Sequence, residues 1–142
     1  MTNRIVLGFA AAAVVMAAGA AQARTSHAKP GHAAPAAAGG GDSANGAAIF
    51  KQQCSLCHSA DPGVENAAPN LRGVVGRKAA GDPKFTAYTP AIKASKVVWN
   101  TATLDTFLSG PARMIPGTAM PITLADPKQR HDVIAYLASL KR

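Results

Sequence analysis

The two cysteines of this chain stand in one five-residue run, Cys54-Ser55-Leu56-Cys57-His58. Two thiols at this spacing can each add to a vinyl group of a haem and tie the macrocycle to the backbone by thioether bonds. The imidazole of His58 follows directly and can bind the iron from one face. The run therefore predicts covalent haem attachment, and the rest of the chain must then enclose a large flat cofactor.

Other uses of Cys54, Cys57 and His58 fit the sequence less well. A zinc site needs a fourth ligand and usually a second spaced pair of ligands, which the chain lacks. A thioredoxin-like redox pair needs a strand–helix–strand setting, whereas the pattern around these cysteines is helical. A disulfide between the two cysteines stays open only for a chain to which haem is never attached.

Residues 1–23 have the pattern of a secretory signal. Arg4 supplies the positive start, an alanine-rich apolar run extends to about Gly19, and Ala21-Gln22-Ala23 matches a cleavage site. We predict cleavage and export to the periplasm. A permanent membrane anchor is the alternative, although the apolar run is short and rich in alanine for a membrane span.

Residues 24–45 contain little apolar bulk and include a triple glycine, so we predict a flexible linker there. The folded domain is predicted to be residues 46–142. Its helical patterns cover about residues 44–56, a short helix from its cap Thr89 to near Ser95, a helix from its cap Thr101 to Ser109 that Gly110-Pro111 stops, and a last helix capped by Asp126. The buried stripes of the last two helices are predicted to be Leu104, Phe107 and Leu108, and Val133, Ile134, Leu137 and Leu140. No alternating strand pattern is present, so the predicted fold class is all-α.

A second axial ligand for the iron can be sought among the methionines. Once the signal is removed, Met114 and Met120 remain. Met120 is favoured on chemistry because it follows the rigid Pro116-Gly117 turn, but Met114 is not eliminated on these grounds. His131 is a rival ligand, yet it stands among polar residues of the last helix, where a surface role is expected.

An ordered set of further motifs resembles the class I cytochrome c family, of the mitochondrial and bacterial c2-like type, over residues 46–142. The haem-binding run alone occurs in many unrelated proteins, whereas the whole ordered set is specific. The motifs are Gly46…Phe50, Cys54-x-x-Cys57-His58, Pro69-Asn70-Leu71-x-Gly73-x-x-Gly76-Arg77, Phe85…Tyr88, Trp99, Leu104-x-x-Phe107-Leu108, Pro111, Ile115-Pro116-Gly117-Thr118-x-Met120 and Ile134-Ala135-Tyr136-Leu137.

The resemblance implies a small cytochrome c fold wrapped around one haem c, with thioethers at Cys54 and Cys57. It implies His58 and Met120 as axial iron ligands, and so selects Met120 over Met114. The carbonyl of Pro69 would accept the second N–H of His58, which orients the ring and makes it a better donor.

The resemblance also assigns polar residues to the haem propionates, whose burial they would offset by hydrogen bonds. These residues are Arg77, Tyr88, Trp99 and Thr118. The chain departs from the family pattern at Phe107, where a tyrosine near the methionine sulfur is usual, and at Pro121 and Ile122 just after the ligand. One extra residue also separates Phe85 from Tyr88.

The function implied by the resemblance is that of an exported one-electron carrier in a respiratory or related electron-transport chain, and not of an enzyme. The net charge of +8 favours redox partners with acidic docking surfaces, membrane-bound complexes among them. Scattered basic residues without a nucleic-acid motif argue against nucleic acid, and we expect a monomer. The alternatives are a tethered cytochrome subunit of a redox enzyme, and a haem enzyme or gas-binding protein in which Met120 is a labile ligand of the iron.

Overall fold

The computed structural model describes residues 40–141, and its regular elements are helical. The predicted all-helical fold is confirmed: in the described part of the chain, the one pairing of β type is an isolated bridge between Lys78 and Val98. The helices are α1 (Ser43–Ile49), continued by a π-helical turn (Phe50–Cys54), then α2 (Pro90–Ala94), α3 (Thr101–Ser109), α4 (Pro111–Met114) and α5 (Pro127–Ser139).

Proline and short polar side chains set the helix starts. Thr89 caps α2 by accepting the Ile92 N–H at 3.3 Å, and Asp126 caps α5 by accepting the Lys128 N–H at 2.8 Å, both as predicted. The cap of α3 is Asn100 rather than the predicted Thr101. Asn100 and Thr103 bond each other's backbone N–H groups, at 2.9 and 2.8 Å, in a reciprocal capping box.

Two further local features differ from the expectation. The predicted regular helix over 44–56 changes to a π-helical turn at Phe50, where the Ser55 N–H bonds the carbonyl of Phe50 at 2.9 Å. A π turn adds one residue per turn and so re-aims the side chains that follow, here the cysteine run. The predicted helix from Thr101 ends at Ser109 as expected, but Pro111 then begins a further short helix, α4, because a proline fits the first helical position where no N–H is needed.

The first and last helices pack closely because Gly46 has no side chain. A Cβ atom at Gly46 would overlap the backbone carbonyl of Asp132 in α5. Next to this contact the rings of Phe50 and Tyr136 meet at a centroid distance of 5.4 Å. The backbone approach and the ring pair together fix the crossing of α1 over α5, which supports one side of the core.

The folded part begins before residue 46, the predicted domain boundary. Asp42 caps α1, and its own N–H donates to the Asp132 carboxylate at 2.7 Å. Asn45 donates to the same carboxylate at 2.6 Å. These long-range bonds order residues that a composition-based prediction assigns to the linker. The predicted signal (1–23) and residues 24–39 of the predicted linker lie outside the described residues.

Asp132 is 2% exposed and also pairs with Lys128 of the same helix at 2.7 Å. Its hydrogen bond with Lys128, followed by that with Asn45, lowers the pKa of the carboxyl group to about 2. A lowered pKa means that the ionised form stabilises the fold above the unfolded-state pKa of about 4 and ceases to do so as the pH falls toward 2.

We therefore predict that the free energy of unfolding decreases as the pH is lowered from 4 to 2. In Asp132→Asn this decrease should be smaller. At neutral pH the substitution is expected to destabilise the protein by about 1–2 kcal/mol, because it removes the charge from the buried acceptor of the Asp42 and Asn45 hydrogen bonds. The bond to Lys128 adds little, since the Lys128 side chain is exposed and solvent screens its charge. Guanidinium unfolding of both proteins at several pH values measures the effect. An identical pH dependence in the two proteins would contradict the role given to Asp132.

A second ion pair ties α5 to α3. Arg130 donates through Nε to Asp105 at 2.7 Å and through Nη1 to the carbonyls of Leu124 and Ala125 at 2.9 and 2.8 Å. The segment that leads into α5 is thereby held against α3. Within residues 40–141, no helix has the length and apolar character that crossing a membrane requires.

Candidate haem site

A cavity of about 350 Å³ lies inside the helical framework, and its walls are mostly apolar. All ten residues that the sequence predicted for the site line this cavity. They are Cys54, Cys57, His58, Pro69, Arg77, Tyr88, Trp99, Phe107, Thr118 and Met120. Residues that are up to 66 positions apart in the sequence, from Cys54 to Met120, are thus brought to one place.

The apolar walls are formed by residues that sequence reasoning did not assign to the site. Several of them were predicted only as the buried stripes of α3 and α5, and the loop residues carried no periodic signal. These wall residues include Leu71, Val74, Phe85, Ile92, Leu104, Leu108, Val133 and Leu137. The helical spacing of the wall residues in α3 and α5 could have indicated which faces of these helices line the cavity.

The cysteine run is held in a tight turn after the π-helical segment. The N–H groups of Cys57 and His58 both donate to the carbonyl of Cys54, at 3.1 and 2.9 Å. Cys54 is partly buried and Cys57 is exposed, and burial raises the pKa of the Cys54 thiol to about 11. Both cysteines are free thiols that line the cavity, so each is placed to form a thioether with a macrocycle inside it.

His58 has the geometry of a metal-ligating histidine. Its Nδ1 lies 2.7 Å from the carbonyl oxygen of Pro69, as predicted. Because a carbonyl can only accept, Nδ1 carries the hydrogen and Nε2 carries the lone pair. Burial lowers the pKa of His58, opposed by the bond to Pro69 and assisted by the positive charge of Arg77. The ring is therefore neutral near pH 7, the form that binds a metal.

Met120 is placed in the cavity by the turn that precedes it. Gly117 has a φ of 90°, which favours glycine, and the N–H of Met120 donates to the hydroxyl of Thr118 at 3.3 Å. Both methionines among residues 40–141 pack against the hydrophobic core, but Met120 lines the cavity and Met114 does not. The geometry thus separates two candidates that residue chemistry alone left open.

His131, the other candidate ligand, does not line the cavity. Its side chain is 58% exposed, and its Nε2 lies 3.9 Å from Asp105 on the surface. This position agrees with the surface role expected from its polar neighbours. Of the histidines and methionines among residues 40–141, His58 and Met120 line the cavity, so their imidazole nitrogen and thioether sulfur could ligate an iron held there.

The polar side of the cavity is formed by Arg77, Tyr88 and Trp99. Arg77 donates through Nη2 to the carbonyl of Asn70 at 2.6 Å, and the hydroxyl of Tyr88 accepts the N–H of Asp82 at 3.1 Å. Burial raises the pKa of the Tyr88 hydroxyl. Tyr88 reaches the cavity although one extra residue precedes it, and its ring meets Phe85 edge-on at 4.9 Å.

Phe107 is buried beside Trp99, and their ring centroids are 4.9 Å apart in an edge-to-face arrangement. A phenylalanine here supplies packing but no hydroxyl. The complete set of groups fits a haem: two thiols for attachment, a nitrogen and a sulfur donor, apolar walls for the ring and a polar region for its carboxylates. No group of three or more His, Cys, Asp or Glu side chains that could hold a separate metal ion occurs among residues 40–141.

Comparison with known proteins gives the same family throughout. The cytochrome c family model matches residues 43–141. Cytochrome c of Tetrahymena pyriformis is 46% identical over 101 residues, which cover 70% of this chain and 90% of the relative. Cytochrome c2 of Rhodomicrobium vannielii is 43% identical over 104 residues, covering 70% of this chain and 79% of the relative.

A solved structure, cytochrome cH from Methylobacterium extorquens, superimposes with a TM-score of 0.64 at 37% sequence identity. The match covers 70% of this chain and 99% of that protein. The helical fold, the cavity with its donor atoms and the known relatives all indicate the same family. The chain belongs to the class I cytochrome c family, the monohaem electron carriers related to mitochondrial cytochrome c and bacterial cytochrome c2.

Proposed function

We propose that this protein is an exported carrier that moves one electron at a time between redox proteins, with haem c attached at Cys54 and Cys57. His58 and Met120 would be the ligands that hold the iron. The observation that carries the proposal is that all four residues line one cavity of about 350 Å³. Bound there, the haem supplies a one-electron ferric/ferrous couple.

The ligating residues leave no place for a substrate at the metal. Pro69 fixes the His58 ring through a bond of 2.7 Å, and Thr118 restrains the backbone of Met120. Two protein ligands in fixed positions suit electron transfer, because neither must leave when the charge of the site changes. The apolar walls keep water from the site and limit the reorganisation that accompanies each transfer.

Arg77, Tyr88, Trp99 and Thr118 form the polar side, where we place the propionates. All four line the cavity, and Arg77 contributes a positive charge. A guanidinium and hydroxyl or indole N–H donors would offset the free energy of burying a carboxylate. In this role the four residues stabilise the bound state and take no part in the electron-transfer step.

Electrons would enter and leave through the part of the cavity that reaches the surface. Ile122 lines the cavity and is 40% exposed, so one margin is accessible. The net charge of +8, which becomes +7 when Arg4 is removed with the signal, favours partners with acidic docking surfaces, and membrane-bound complexes are among the partners we propose. Their association should weaken as salt is raised, since the Debye length is only about 8 Å at physiological ionic strength.

We place the protein in the periplasm as a monomer, with the signal cleaved after Ala23. Its similarity to the cytochromes c2 of Rhodomicrobium vannielii and Agrobacterium tumefaciens supports a bacterial setting of this kind. The amino-terminal sequence of the protein isolated from cells tests the cleavage. A start at residue 24 supports a free carrier, whereas an intact start in the membrane fraction would support the tethered subunit instead.

Optical spectroscopy and mass measurement of the purified protein test the cofactor. We expect one covalently attached haem, a pyridine haemochrome spectrum of the two-thioether type and the weak methionine–iron charge-transfer band of the ferric state. The reduced protein should not bind carbon monoxide at neutral pH. Two titratable thiols with no attached haem, or ready carbon monoxide binding, would contradict the proposed carrier.

A further inference from the structure

Asp82 is a buried carboxylate that the proposed function leaves without a role. It is 6% exposed and stands in the loop between the haem-binding run and α2, beside a surface hollow of about 310 Å³. A carboxylate buried to this degree must be held by hydrogen bonds or by a charged partner. Its partners therefore indicate what it does.

Each carboxylate oxygen of Asp82 accepts a hydrogen bond from a backbone N–H group. Oδ2 accepts from the N–H of Asn70 at 3.0 Å, and Oδ1 accepts from the N–H of Lys84 at 3.1 Å. The guanidinium of Arg77 lies 3.9 Å from Oδ2, beyond hydrogen-bond distance. Outside its own loop, the Asp82 carboxylate thus accepts a hydrogen bond from the backbone N–H of Asn70, twelve positions earlier in the chain.

That peptide group is the one that orients His58. The N–H of Asn70 and the C=O of Pro69 belong to a single planar amide, so they share one conjugated system. On its other side, the Pro69 oxygen accepts the Nδ1–H of His58 at 2.7 Å. The structure therefore contains a continuous chain of two hydrogen bonds, from the Asp82 carboxylate through one peptide group to the imidazole.

A negative acceptor at the N–H end polarises such an amide and increases the negative charge on its oxygen. Hydrogen bonds in series strengthen one another by roughly 10–30% per bond in condensed phase. A stronger acceptor at Nδ1–H makes the imidazole a better electron donor through Nε2. A better donor favours the higher oxidation state of the iron it binds, and the midpoint potential falls.

We propose that Asp82 is a positioning residue that acts on His58 through the Pro69–Asn70 peptide, holding the ring in place and lowering the midpoint potential. The proposal rests on the proposed function in one respect, that His58 binds the haem iron. Arg77 opposes the field of Asp82 in part, and one of its hydrogen bonds, of 2.6 Å, goes to the carbonyl of Asn70, in the next peptide.

Asp82→Asn in the haem-loaded protein tests the proposal, because asparagine keeps the shape and removes the charge. We expect the ferric/ferrous equilibrium to shift toward the ferrous state by about three- to tenfold, where tenfold corresponds to 59 mV for one electron. In the diamagnetic ferrous protein, the nuclear magnetic resonance signal of the His58 Nδ1–H should move upfield as its bond weakens. Asp82→Glu should restore part of both effects.

Glu65→Gln is the matched control. Glu65 lines the same hollow and is exposed, so its neutralisation changes the charge equally without touching the Asn70 peptide. We expect a smaller potential shift and an unmoved His58 signal. Equal potential shifts in the two variants, or an unmoved His58 signal in Asp82→Asn, would overturn the proposal and leave only a general charge effect.

The unmutated ferrous protein gives a test that does not depend on a variant that folds. A through-hydrogen-bond coupling between the Asn70 amide nitrogen and the Asp82 carboxylate carbon is expected, and its absence would refute the chain of bonds. Failure of the proposed function looks different. A protein without covalent haem, or one whose iron is not bound by His58, would be recognised from its own spectrum before any substitution is made.

Discussion

Met120→Ala is expected to open one face of the iron. The variant should lose the methionine–iron charge-transfer band, and its reduced form should bind carbon monoxide. The midpoint potential should fall by on the order of 0.1–0.3 V, a part of the roughly 0.8 V span that axial ligation covers. A thioether ligand favours the ferrous state of the iron and so raises the midpoint potential. Water or a stronger donor in its place lacks this effect, so the potential falls. Visible spectra and a potentiometric titration measure these changes.

Met114→Ala is the control, because it removes the other methionine of the folded part. Met114 ends α4 and is half-buried against the core, away from the cavity. Truncation should destabilise the fold by about 1–3 kcal/mol through lost packing and leave the charge-transfer band in place. Loss of the band in Met114→Ala, or its survival in Met120→Ala, would reverse the assignment of the sulfur ligand.

The residues proposed for the haem site, which line one cavity, could be named from the sequence because much of their chemistry is concentrated in a short run. The spacing of Cys54, Cys57 and His58 alone indicates haem, and the ordered motifs of the family supply the remaining residues. Residue chemistry left Met114 open as a ligand, since both methionines flank the same turn. The deciding fact is which of them reaches the cavity, and this depends on the folded path of the loop.

Helix ends were predictable where a local signal sets them. Thr89 and Asp126 cap helices through bonds that span two or three residues, so the sequence contains the cause. The ordering of residues before the predicted domain boundary at residue 46 depends instead on bonds from Asp42 and Asn45 to Asp132, about 90 residues away. The composition of residues 24–45 predicts a linker because local composition contains no information about a hydrogen-bond partner so far away in the chain.

The hydrogen-bonded connection from Asp82 to His58 is likewise a contact between distant residues that the sequence could not predict. Asp82 stands in a Gly-, Pro- and Lys-containing loop, where an aspartate is an ordinary turn residue. Nothing local distinguishes it from an exposed loop carboxylate. Its burial and its bond to Asn70 arise only when the two loops meet, so a residue proposed to influence the potential was absent from every prediction made from the sequence.

The crossing of α1 and α5 should tolerate no side chain at Gly46. In an exposed helix, Gly→Ala commonly raises stability by roughly 0.4–1 kcal/mol, because alanine has less conformational freedom to lose. Here the added Cβ would overlap the carbonyl of Asp132, and one helix would have to move. We expect Gly46→Ala to lower the free energy of unfolding by about 2–3 kcal/mol, the upper part of the range for an overpacked core position. Guanidinium unfolding of the haem-loaded protein, followed by helical circular dichroism, measures it.

Ala48→Gly separates packing from helix propensity. Ala48 lies on the exposed face of the same helix, so its replacement should reduce stability by only about 1 kcal/mol, from propensity alone. Propensity therefore predicts a gain for Gly46→Ala, whereas the close backbone approach predicts a loss larger than that of the control. Because the two explanations differ in sign, a Gly46→Ala protein at least as stable as the wild type would show that α1 and α5 do not depend on this contact.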